Sequence, residues 1–422
     1  MKNGFLNRLF AYLNGGYAYA VLRNWEGLPE DCSSRDIDIF ISKRELARLK
    51  PELAKIAAET GCGVLYENWD NQFWTVVYAD DEANVFQLDF QYNFAWMGVD
   101  LLDEEEVLTH RVFNGKVWHL DTMYAFLPKY LYCRILGGEY PMKYVGVRSA
   151  AMAKNGTEIE RILKGLSLGK GGSDYWDKTG KWGLRLRAFT AVLLRRPFRA
   201  LWRMACFICI YIWQLFTRRG WMISFSGPDG CGKSTVIDLV CEKLSVNPPC
   251  LYHFRPTLFP NLGEVGHKAG IKKDVDRNFN VPHRAKRCGP ISSLIRLAYY
   301  MSDYILGYWV KIMPVRQRKH IVFFDRYFTD IIADSERSSI FLPYKFLCWL
   351  RHFVPSCQRN FLIRVKPEEI VERKRELELE DIQVIYDRLD YLASRDSHCV
   401  WIDNNGSPED AAREIILALR YT

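Results

Sequence analysis

The segment 227–235, GPDGCGKST, constrains the fold of this chain more than any other part of the sequence. It matches the phosphate-loop pattern G-x-x-x-x-G-K-[ST] at every fixed position, between a strand-like run at 221–226 and a helix-like run at 236–244. In such a turn, glycines let backbone N–H groups converge on phosphate oxygens at a helix N-terminus. The pattern predicts binding of a nucleoside triphosphate, with Lys233 on the β- and γ-phosphates and Ser234 on Mg²⁺. The residues expected to hold the nucleotide are Gly227, Gly230, Gly232, Lys233, Ser234 and Thr235.

The length of the chain predicts more than one domain. With 422 residues, 49% of them hydrophobic and 26% charged, the chain has a globular composition and needs two or three cores. We divide it into an N-terminal part at 1–173, a basic and then apolar helical linker at 174–220, and a C-terminal part at 221–422. The stretch 165–180 is rich in Gly, Ser, Lys and Asp, which is typical of a linker.

The middle part combines positive charge with an apolar run. Between residues 178 and 219 there are ten Lys or Arg and no Asp or Glu, which favours an anionic partner such as membrane lipid, nucleic acid or a phosphorylated glycan. The run 204–216 is nearly all apolar but shorter than the roughly 20 residues of a membrane span. Three interpretations remain: a helix lying in the membrane interface, a buried helix between domains, and a span. The aromatic residues within one apolar run favour lipid over nucleic acid.

The cysteines indicate a reducing compartment. The 12 cysteines are scattered, and no secretory signal is visible at the N-terminus, so we expect free thiols and a cytoplasmic location, at the inner face of the cytoplasmic membrane if 195–219 contacts lipid. Cys206 and Cys209 form a C-x-x-C pair inside the apolar run. Without a second ligand pair they favour a core or membrane-facing role over zinc.

The C-terminal part alternates strand-like and helix-like segments, which predicts an α/β fold with a parallel sheet flanked by helices. The expected strands lie at 221–226, 251–254, 320–324, 361–365 and 399–402, and the expected helices at 236–244, 292–312, 367–375 and 408–418. Ligands then bind at the carboxyl ends of the strands. Asp325 stands at such an end, where a carboxylate meets the water shell of the metal. Arg326 follows it and is suited to clamp a phosphate.

These residues carry a resemblance over 221–420. The loop and the Asp325-Arg326-Tyr327 signature resemble the thymidylate kinase family of P-loop kinases. The segment 253–256 resembles the family's Arg-Glu-Pro loosely, with Arg255 where the family has Glu. The segment 366–369 resembles the start of the family's lid, and Arg373, Lys374 and Arg375 follow it.

The resemblance implies roles for these residues. Lys233, Asp325, Arg326 and Arg373 are expected to be catalytic, with the lid residues neutralising charge on the transferred phosphoryl group. Asp229, Arg255 and Tyr327 are expected to bind the acceptor. The segment 260–288 holds seven Lys or Arg and departs from the family, so the donor ATP is better defined than the acceptor. A nucleotide, a sugar phosphate or a glycan remains open as the acceptor.

The N-terminal part carries a second group of acidic residues. In the strand-like segments 34–41 and 85–90, alternation places Asp36 with Asp38, and Gln87 with Asp89, opposite apolar side chains. Three carboxylates on neighbouring strands predict a Mg²⁺ site. Residues 10–130 resemble the nucleotidyltransferase superfamily, which implies an α+β fold, although 22–25 replace the family's Gly-Ser pair and Arg23 is left to hold phosphate.

Three functions remain open. The first is an ATP- and Mg²⁺-dependent kinase of thymidylate kinase type, fused to a nucleotidyltransferase-like domain. The second is nucleotidyl transfer by the N-terminal part as the main activity. The third is a membrane-associated scaffold switched by nucleotide. The combination of domains suggests a role in bacterial cell-surface polysaccharide biosynthesis.

Overall fold

The chain forms two compact units. The computed structural model describes residues 2–31, 34–217, 220–245, 248–260, 289–317, 321–374 and 377–420. One unit comprises Met1–Trp213 with Arg420–Thr422, and the other comprises Gln214–Leu419. The division of function at residues 173 and 220 stays a prediction.

The N-terminal unit is built on a seven-stranded mixed sheet with the strand order β3-β4-β5-β2-β1-β9-β8. Its strands are β1 Tyr19–Val21, β2 Asp36–Ile41, β3 Gly63–Trp69, β4 Phe73–Ala79, β5 Val85–Gln91, the hairpin β6 Ala95–Trp96 and β7 Val99–Asp100, β8 Arg111–Phe113 and β9 Trp118–Leu120. Its helices are α1 Lys2–Asn14, α2 Lys43–Glu59, α3 Glu104–Thr109, α4 Thr122–Leu136, α5 Val145–Leu166, α6 Ser173–Lys178, α7 Lys181–Arg195 and α8 Pro197–Thr217, with a 3₁₀ turn at Met142–Tyr144. The predicted α+β architecture is confirmed.

The alternation in β2 and β5 explains how this sheet is covered. The two strands are parallel, and Ile37, Ile39 and Ile41 lie in the same buried cluster as Phe86 and Leu88. Side chains of α1 and α2 complete this cluster on one face of the sheet. The intervening acidic residues therefore point to the opposite face.

The expectation of a linker at 165–180 is wrong. Helix α5 continues to Leu166, and α6 places Trp176 in a hydrophobic core, where its side chain is fully buried. The indole Nε1 of Trp176 donates to the carbonyl oxygen of Leu163 at 3.0 Å, and Arg134 donates to the carbonyl of Trp176. One buried aromatic anchor thus outweighs the polar composition around it.

The C-terminal unit contains a five-stranded parallel sheet with the order β11-β12-β10-β13-β14, which confirms the predicted α/β class. Its strands are β10 Met222–Ser226, β11 Cys250–His253, β12 Val322–Asp325, β13 Arg359–Arg364 and β14 Cys399–Asp403. Its helices are α9 Lys233–Lys243, α10 Pro290–Gly307, α11 Met313–Gln317, α12 Phe328–Ala333, α13 Tyr344–Leu350, α14 Pro367–Arg373, α15 Leu379–Ala393 and α16 Pro408–Leu419, with a π turn at Tyr308–Ile312 and a 3₁₀ turn at Arg351–Phe353. Strand β10 lies at the centre, so the loop after it opens in the middle of the carboxyl edge.

The long apolar segment 292–312 is only partly a core element. Leu297 and Tyr304 of α10 are buried, whereas Ile295 and Trp309 remain 65% and 58% exposed. The expected helix is therefore present, but its apolar residues surround it and only one side packs.

The apolar run in α8 also carries exposed side chains. Ile208, Tyr211 and Trp213 are 46%, 54% and 55% exposed. The membrane-interface and interdomain interpretations of this run stay predictions. Across the parts of the chain that the structure describes, no helix is both long enough and apolar enough to traverse a bilayer.

Candidate active site

The loop between β10 and α9 has a backbone that only glycine adopts easily. Gly227, Gly230 and Gly232 have φ angles of +152°, +89° and +82°. A Cβ on Gly227 would lie 2.8 Å from the carbonyl oxygen of Ile363, and one on Gly232 would lie 2.6 Å from Nδ2 of Asn404. The fixed glycines of the pattern are therefore required by both dihedral angle and space.

Lys233, the first residue of α9, lies folded over this loop. Its side chain is buried, and its Nζ donates to the carbonyl oxygens of Gly227 at 2.8 Å and Pro228 at 2.7 Å. Burial lowers the pKa of the amine, and the charge of Arg326 acts in the same direction. These two acceptors are neutral, so an anionic phosphate is a stronger partner for this cation.

Asn404, which follows the edge strand β14, contacts the loop and was not predicted from the sequence. It follows β14 directly, is 2% exposed, and donates from Nδ2 to the carbonyl oxygen of Cys231 at 2.8 Å. The available signal was a polar residue directly after a predicted strand, at the edge where the loop lies. Asn404 thus ties the turn before Lys233 to the edge of the sheet.

Asp325 lies at the end of β12, next to β10. It pairs in register with Phe225 on one side and with His253 on the other. Its Oδ2 lies 3.1 Å from Nδ1 of His253. Burial raises the pKa of Asp325, but the hydrogen bond with His253 and the positive charge of Lys233 outweigh burial, so its pKa lies below the ordinary value.

The carboxylate of Asp325 fits its predicted role as a magnesium ligand. Its Oδ1 is buried and has no hydrogen-bond partner among the described residues. Ser234 and Thr235 are exposed in the first turn of α9. A carboxylate and a hydroxyl are the hard oxygen ligands that Mg²⁺ accepts, together with water and phosphate oxygens. Asp325 and Ser234 are therefore the residues that would hold the metal.

Asp229, within the loop, joins two arginines. Its carboxylate accepts from Arg326 and from Arg337, so the predicted acceptor-binding group is shared between two cations. Arg326 has a φ of +74°, a left-handed backbone that is costly for a residue with a side chain. Its Nη1 also lies 3.6 Å from Oδ1 of Asp330. The loop and the residue after Asp325 are thus linked by charge.

A buried polar cluster lies beneath this contact. The hydroxyl of Ser226 lies 2.6 Å from both Oγ1 of Thr329 and Oδ2 of Asp330. The same carboxylate accepts from the backbone N–H of Tyr327 at 3.2 Å. Burial raises the pKa of Asp330, against the charge of nearby Arg326. The cluster fastens the start of α12 to the end of β10.

Two residues predicted to bind the acceptor are largely engaged with the protein itself. Arg255 is 3% exposed and forms an ion pair with Asp303 of α10 at 2.9 Å. It also donates to the carbonyl oxygen of Phe259 at 3.1 Å. The hydroxyl of Tyr327 donates to the carbonyl oxygen of Pro355 at 2.7 Å. Acceptor binding by Arg255 and Tyr327 stays a prediction, and the contacts give both a fastening role.

The predicted lid begins beside the loop. A Cβ on Gly230 would lie 3.3 Å from Cβ of Lys374, so the end of α14 contacts the loop. Arg373, the last residue of α14, donates to Glu369 at 3.0 Å and is about half exposed. Arg375 and the basic segment 261–288 lie outside the described residues. Contact of Arg373 with a phosphoryl group stays a prediction.

The structure brings the N-terminal carboxylates onto one face of the sheet. Asp38 on β2 and Asp89 on β5 are register partners, and Asp36 pairs with Gln87 two residues before. Asp38 accepts from Nε of Arg23 at 2.5 Å. Asp36 accepts from the hydroxyl of Ser34 at 2.5 Å.

Asp89 is the member of this group with the most perturbed ionisation. Burial raises its pKa to about 6, with a smaller contribution from Asp38, against hydrogen bonds from Thr75 and Gln87. Each of the three carboxylates already accepts a hydrogen bond from a protein side chain. Within the described ranges, no group of three His, Cys, Asp or Glu residues is arranged to hold a metal. Metal binding by Asp36, Asp38 and Asp89 stays a prediction.

Comparisons with known proteins add little to this geometry. No protein-family model matches the chain, and no curated protein matches it. Among solved structures, the thymidylate kinase from Ehrlichia chaffeensis aligns with 48% of this chain and 100% of its own, at 21% identity and a TM-score of 0.32. A likeness this weak carries no conclusion about activity. The parallel sheet and the glycine loop themselves define an α/β fold in the C-terminal unit, with a phosphate-loop backbone after its central strand.

Proposed function

We propose that the C-terminal unit is an ATP-dependent phosphotransferase. The observation that carries the proposal is the glycine loop after the central strand β10, with the amine of Lys233 folded over it and Asp325 on the adjacent strand in register with Phe225. A cation and a carboxylate at the carboxyl edge of a parallel sheet suit a triphosphate and its metal.

Different residues of the site are assigned to the phosphates and to the metal. The N–H groups of the loop and the first turn of α9 face the phosphates, since they open the helix. Lys233 exchanges its carbonyl partners for phosphate oxygens. Ser234 and Asp325 would hold Mg²⁺, which when bound would neutralise charge on the phosphates. Positioning and electrostatics supply the rate acceleration, and no covalent intermediate on the protein is required.

The arginines define the acceptor side of the proposal. Arg326 and Arg337 meet at Asp229, which holds both guanidinium groups beside the loop. The side chain of Arg337 is about a third exposed and accessible to an anionic acceptor, whereas that of Arg326 is buried. The acceptor is a nucleotide, a sugar phosphate or a glycan that carries phosphate. A bacterial polysaccharide pathway remains the context that we propose for it.

The experiment follows the fate of labelled phosphate. The full chain is incubated separately with ATP labelled at the γ- and at the α-phosphate, against pools of nucleotides, sugar phosphates and lipid-linked glycans. We expect the γ label to move to one pool, Lys233→Ala to abolish transfer, and Lys243→Ala, at the end of the same helix, to leave it unchanged. Normal transfer by Lys233→Ala, or ATP hydrolysis without any labelled acceptor, would contradict the proposal and favour a nucleotide-switched scaffold.

A second candidate function rests on the N-terminal carboxylates. The register of Asp38 with Asp89 on adjacent parallel strands supports nucleotidyl transfer by that unit. In that case the α label moves to the acceptor and pyrophosphate is released. The double variant Asp36→Asn, Asp38→Asn then loses this release and keeps γ transfer. Release that persists in the double variant removes this candidate.

A further inference from the structure

Helices α7 and α8 expose a large apolar surface on the N-terminal unit. We define the α7–α8 face by five of its exposed apolar members, which are Trp182, Leu186, Phe198, Trp202 and Ile212, with exposures of 70%, 68%, 88%, 72% and 50%. Single exposed apolar residues are ordinary, but several large ones on neighbouring helices mark an interaction site.

The polarity of α8 is the reverse of that of an ordinary surface helix. Phe198, Trp202 and Ile212 follow a spacing of four and ten residues, so they lie on one side of the helix. Its other side is fixed to the unit by charge, because Arg203 donates to Asp100 and lies 3.5 Å from Glu104. The apolar side is thus the one directed to solvent, where it lowers stability unless a partner covers it.

The hairpin β6–β7 shows that this orientation is fixed. A Cβ on Gly98 would lie 2.6 Å from the carbonyl oxygen of Arg203, so hairpin and helix are in direct contact. Beside them an apolar cavity of about 290 Å³ opens between the hairpin and the two helices. Its walls include Trp96, Met97, Trp182, Leu186, Phe189 and Met204. The cavity extends the apolar surface inward from the exposed Trp182.

The positive charge beside the α7–α8 face indicates what kind of partner would cover it. Arg195, Arg196 and Arg199 lie next to Phe198 in the chain and are exposed. Arg196 and Arg199 lie 3.7 Å and 3.5 Å from Asp103 and Asp100, loose pairs at an exposed site that are worth little. Two copies of this face would bring like charges together, which opposes self-association. Aromatic side chains bordered by arginines suit an interface of apolar chains beneath anionic headgroups.

We propose that the α7–α8 face docks the chain onto an anionic phospholipid bilayer. The aromatic side chains insert at the level of the acyl-chain boundary, and the arginines contact the lipid phosphates. This docking is independent of the proposed phosphotransfer and leaves ATP binding unaffected.

Vesicle flotation tests the proposal with the full chain. We expect binding to vesicles of phosphatidylcholine with phosphatidylglycerol, weaker binding to phosphatidylcholine alone, and weakening by salt. The double variant Phe198→Ser, Trp202→Ser should lose about tenfold or more in affinity, since two aromatic side chains no longer leave water. The control Ile291→Ser, Ile295→Ser removes apolar side chains that are 74% and 65% exposed in the other unit, and should bind normally.

A second variant keeps the test decisive. Arg195→Gln, Arg199→Gln retains the apolar residues and should reduce the preference for anionic vesicles. Thermal melting and ATP binding check that each variant is folded. The proposal fails if the wild-type chain ignores anionic vesicles or if both double serine variants lose binding equally. It also fails if sedimentation shows a dimer that Phe198→Ser, Trp202→Ser dissociates, since the face then binds a second copy.

Discussion

Lys233 in the loop at 227–235 and Asp38 on β2 satisfy their charges in opposite ways. In the loop, Lys233 donates to two neutral backbone carbonyls. On the N-terminal sheet, Asp38 accepts from the charged guanidinium of Arg23, and Asp89 accepts from Thr75 and Gln87. Lys233 therefore donates to neutral partners, whereas Asp38 is paired directly with a countercharge.

This difference bears on which region can take an anionic or cationic ligand. A phosphate that displaces carbonyls from Lys233 replaces weak partners by a strong one. A metal that binds Oδ2 of Asp38 must first displace Arg23, and the partly buried guanidinium then needs a new partner. Lys233 in the loop can therefore exchange its carbonyl contacts for a phosphate, whereas the carboxylates already accept hydrogen bonds from side chains of the protein itself.

The largest effect on stability is expected for an ion pair in which both side chains are buried. In the pair between Arg255 and Asp303 the side chains are 4% and 0% exposed. Arg255→Met should lower the free energy of unfolding by about 3–5 kcal/mol, because Asp303 remains buried with its charge uncompensated. Chemical denaturation of the full chain, followed in the C-terminal unit, measures the change.

A double variant separates fastening from acceptor binding by Arg255. Arg255→Met, Asp303→Asn removes both charges, keeps an acceptor for the backbone N–H of Phe259 and should recover part of the lost stability. If Arg255 only fastens its segment, this variant also recovers phosphotransfer. Recovered stability with lost acceptor affinity would instead support the role in acceptor binding that the family resemblance implies.

The next largest effect concerns ATP affinity and tests whether the loop needs this backbone conformation to bind phosphate. Gly227→Ala places a Cβ 2.8 Å from the carbonyl of Ile363 at a φ of +152°. We expect a loss of about 100-fold in ATP affinity, equivalent to about 2.7 kcal/mol, as the loop moves to relieve the clash. Gly289→Ala is the matched control, since no heavy atom lies within 4 Å of its Cβ. Calorimetric titration with ATP measures both, and unchanged affinity in Gly227→Ala would show that the loop does not need this backbone.

Much of the C-terminal fold was predictable because its signals are local. Short apolar runs bounded by polar residues mark buried strands, and the glycine pattern fixes the turn between β10 and α9. Asp325 was predictable as well, since it ends such a run. Trp176 was missed because its core partners come from other helices, while the residues around it have the composition of a linker.

The partners of the site residues were not predictable in the same way. Asn404 meets Cys231 across 173 positions of sequence, and Arg337 meets Asp229 across 108. Arg255 finds Asp303 only because α10 packs against the segment after β11. Such pairings depend on tertiary packing, which no periodicity of a single segment records. Residue types at the site followed from the pattern, whereas their countercharges did not.

A smaller effect on stability is expected from removing the cation that pairs with Asp38. Arg23→Gln leaves Asp38, which is 6% exposed, without its cation and should lower the unfolding free energy by about 2 kcal/mol. Millimolar Mg²⁺ should restore part of this loss in the variant and have no effect on the wild type. The control Arg8→Gln breaks a pair whose side chains are more than half exposed, and should cost less than about 1 kcal/mol. Equal melting shifts with Mg²⁺ in the wild type and in Arg23→Gln would contradict closure by Arg23.

The smallest effect concerns the proton on Asp89. Burial raises its pKa from 3.8 to about 6, so the folded carboxyl keeps its proton up to about pH 6 while the unfolded one releases it near pH 4. The contribution to stability is therefore complete below about pH 4, falls between about pH 4 and 6, and is lost above. Asp89→Asn should remove this fall and raise the unfolding free energy at pH 7 by about 1–2 kcal/mol, after allowance for solvent screening. Melting temperatures from pH 4 to 8 test this, with the exposed Asp31→Asn as the control for loss of a carboxylate, and a parallel decline in Asp89→Asn and wild type would show that this proton does not set the pH dependence.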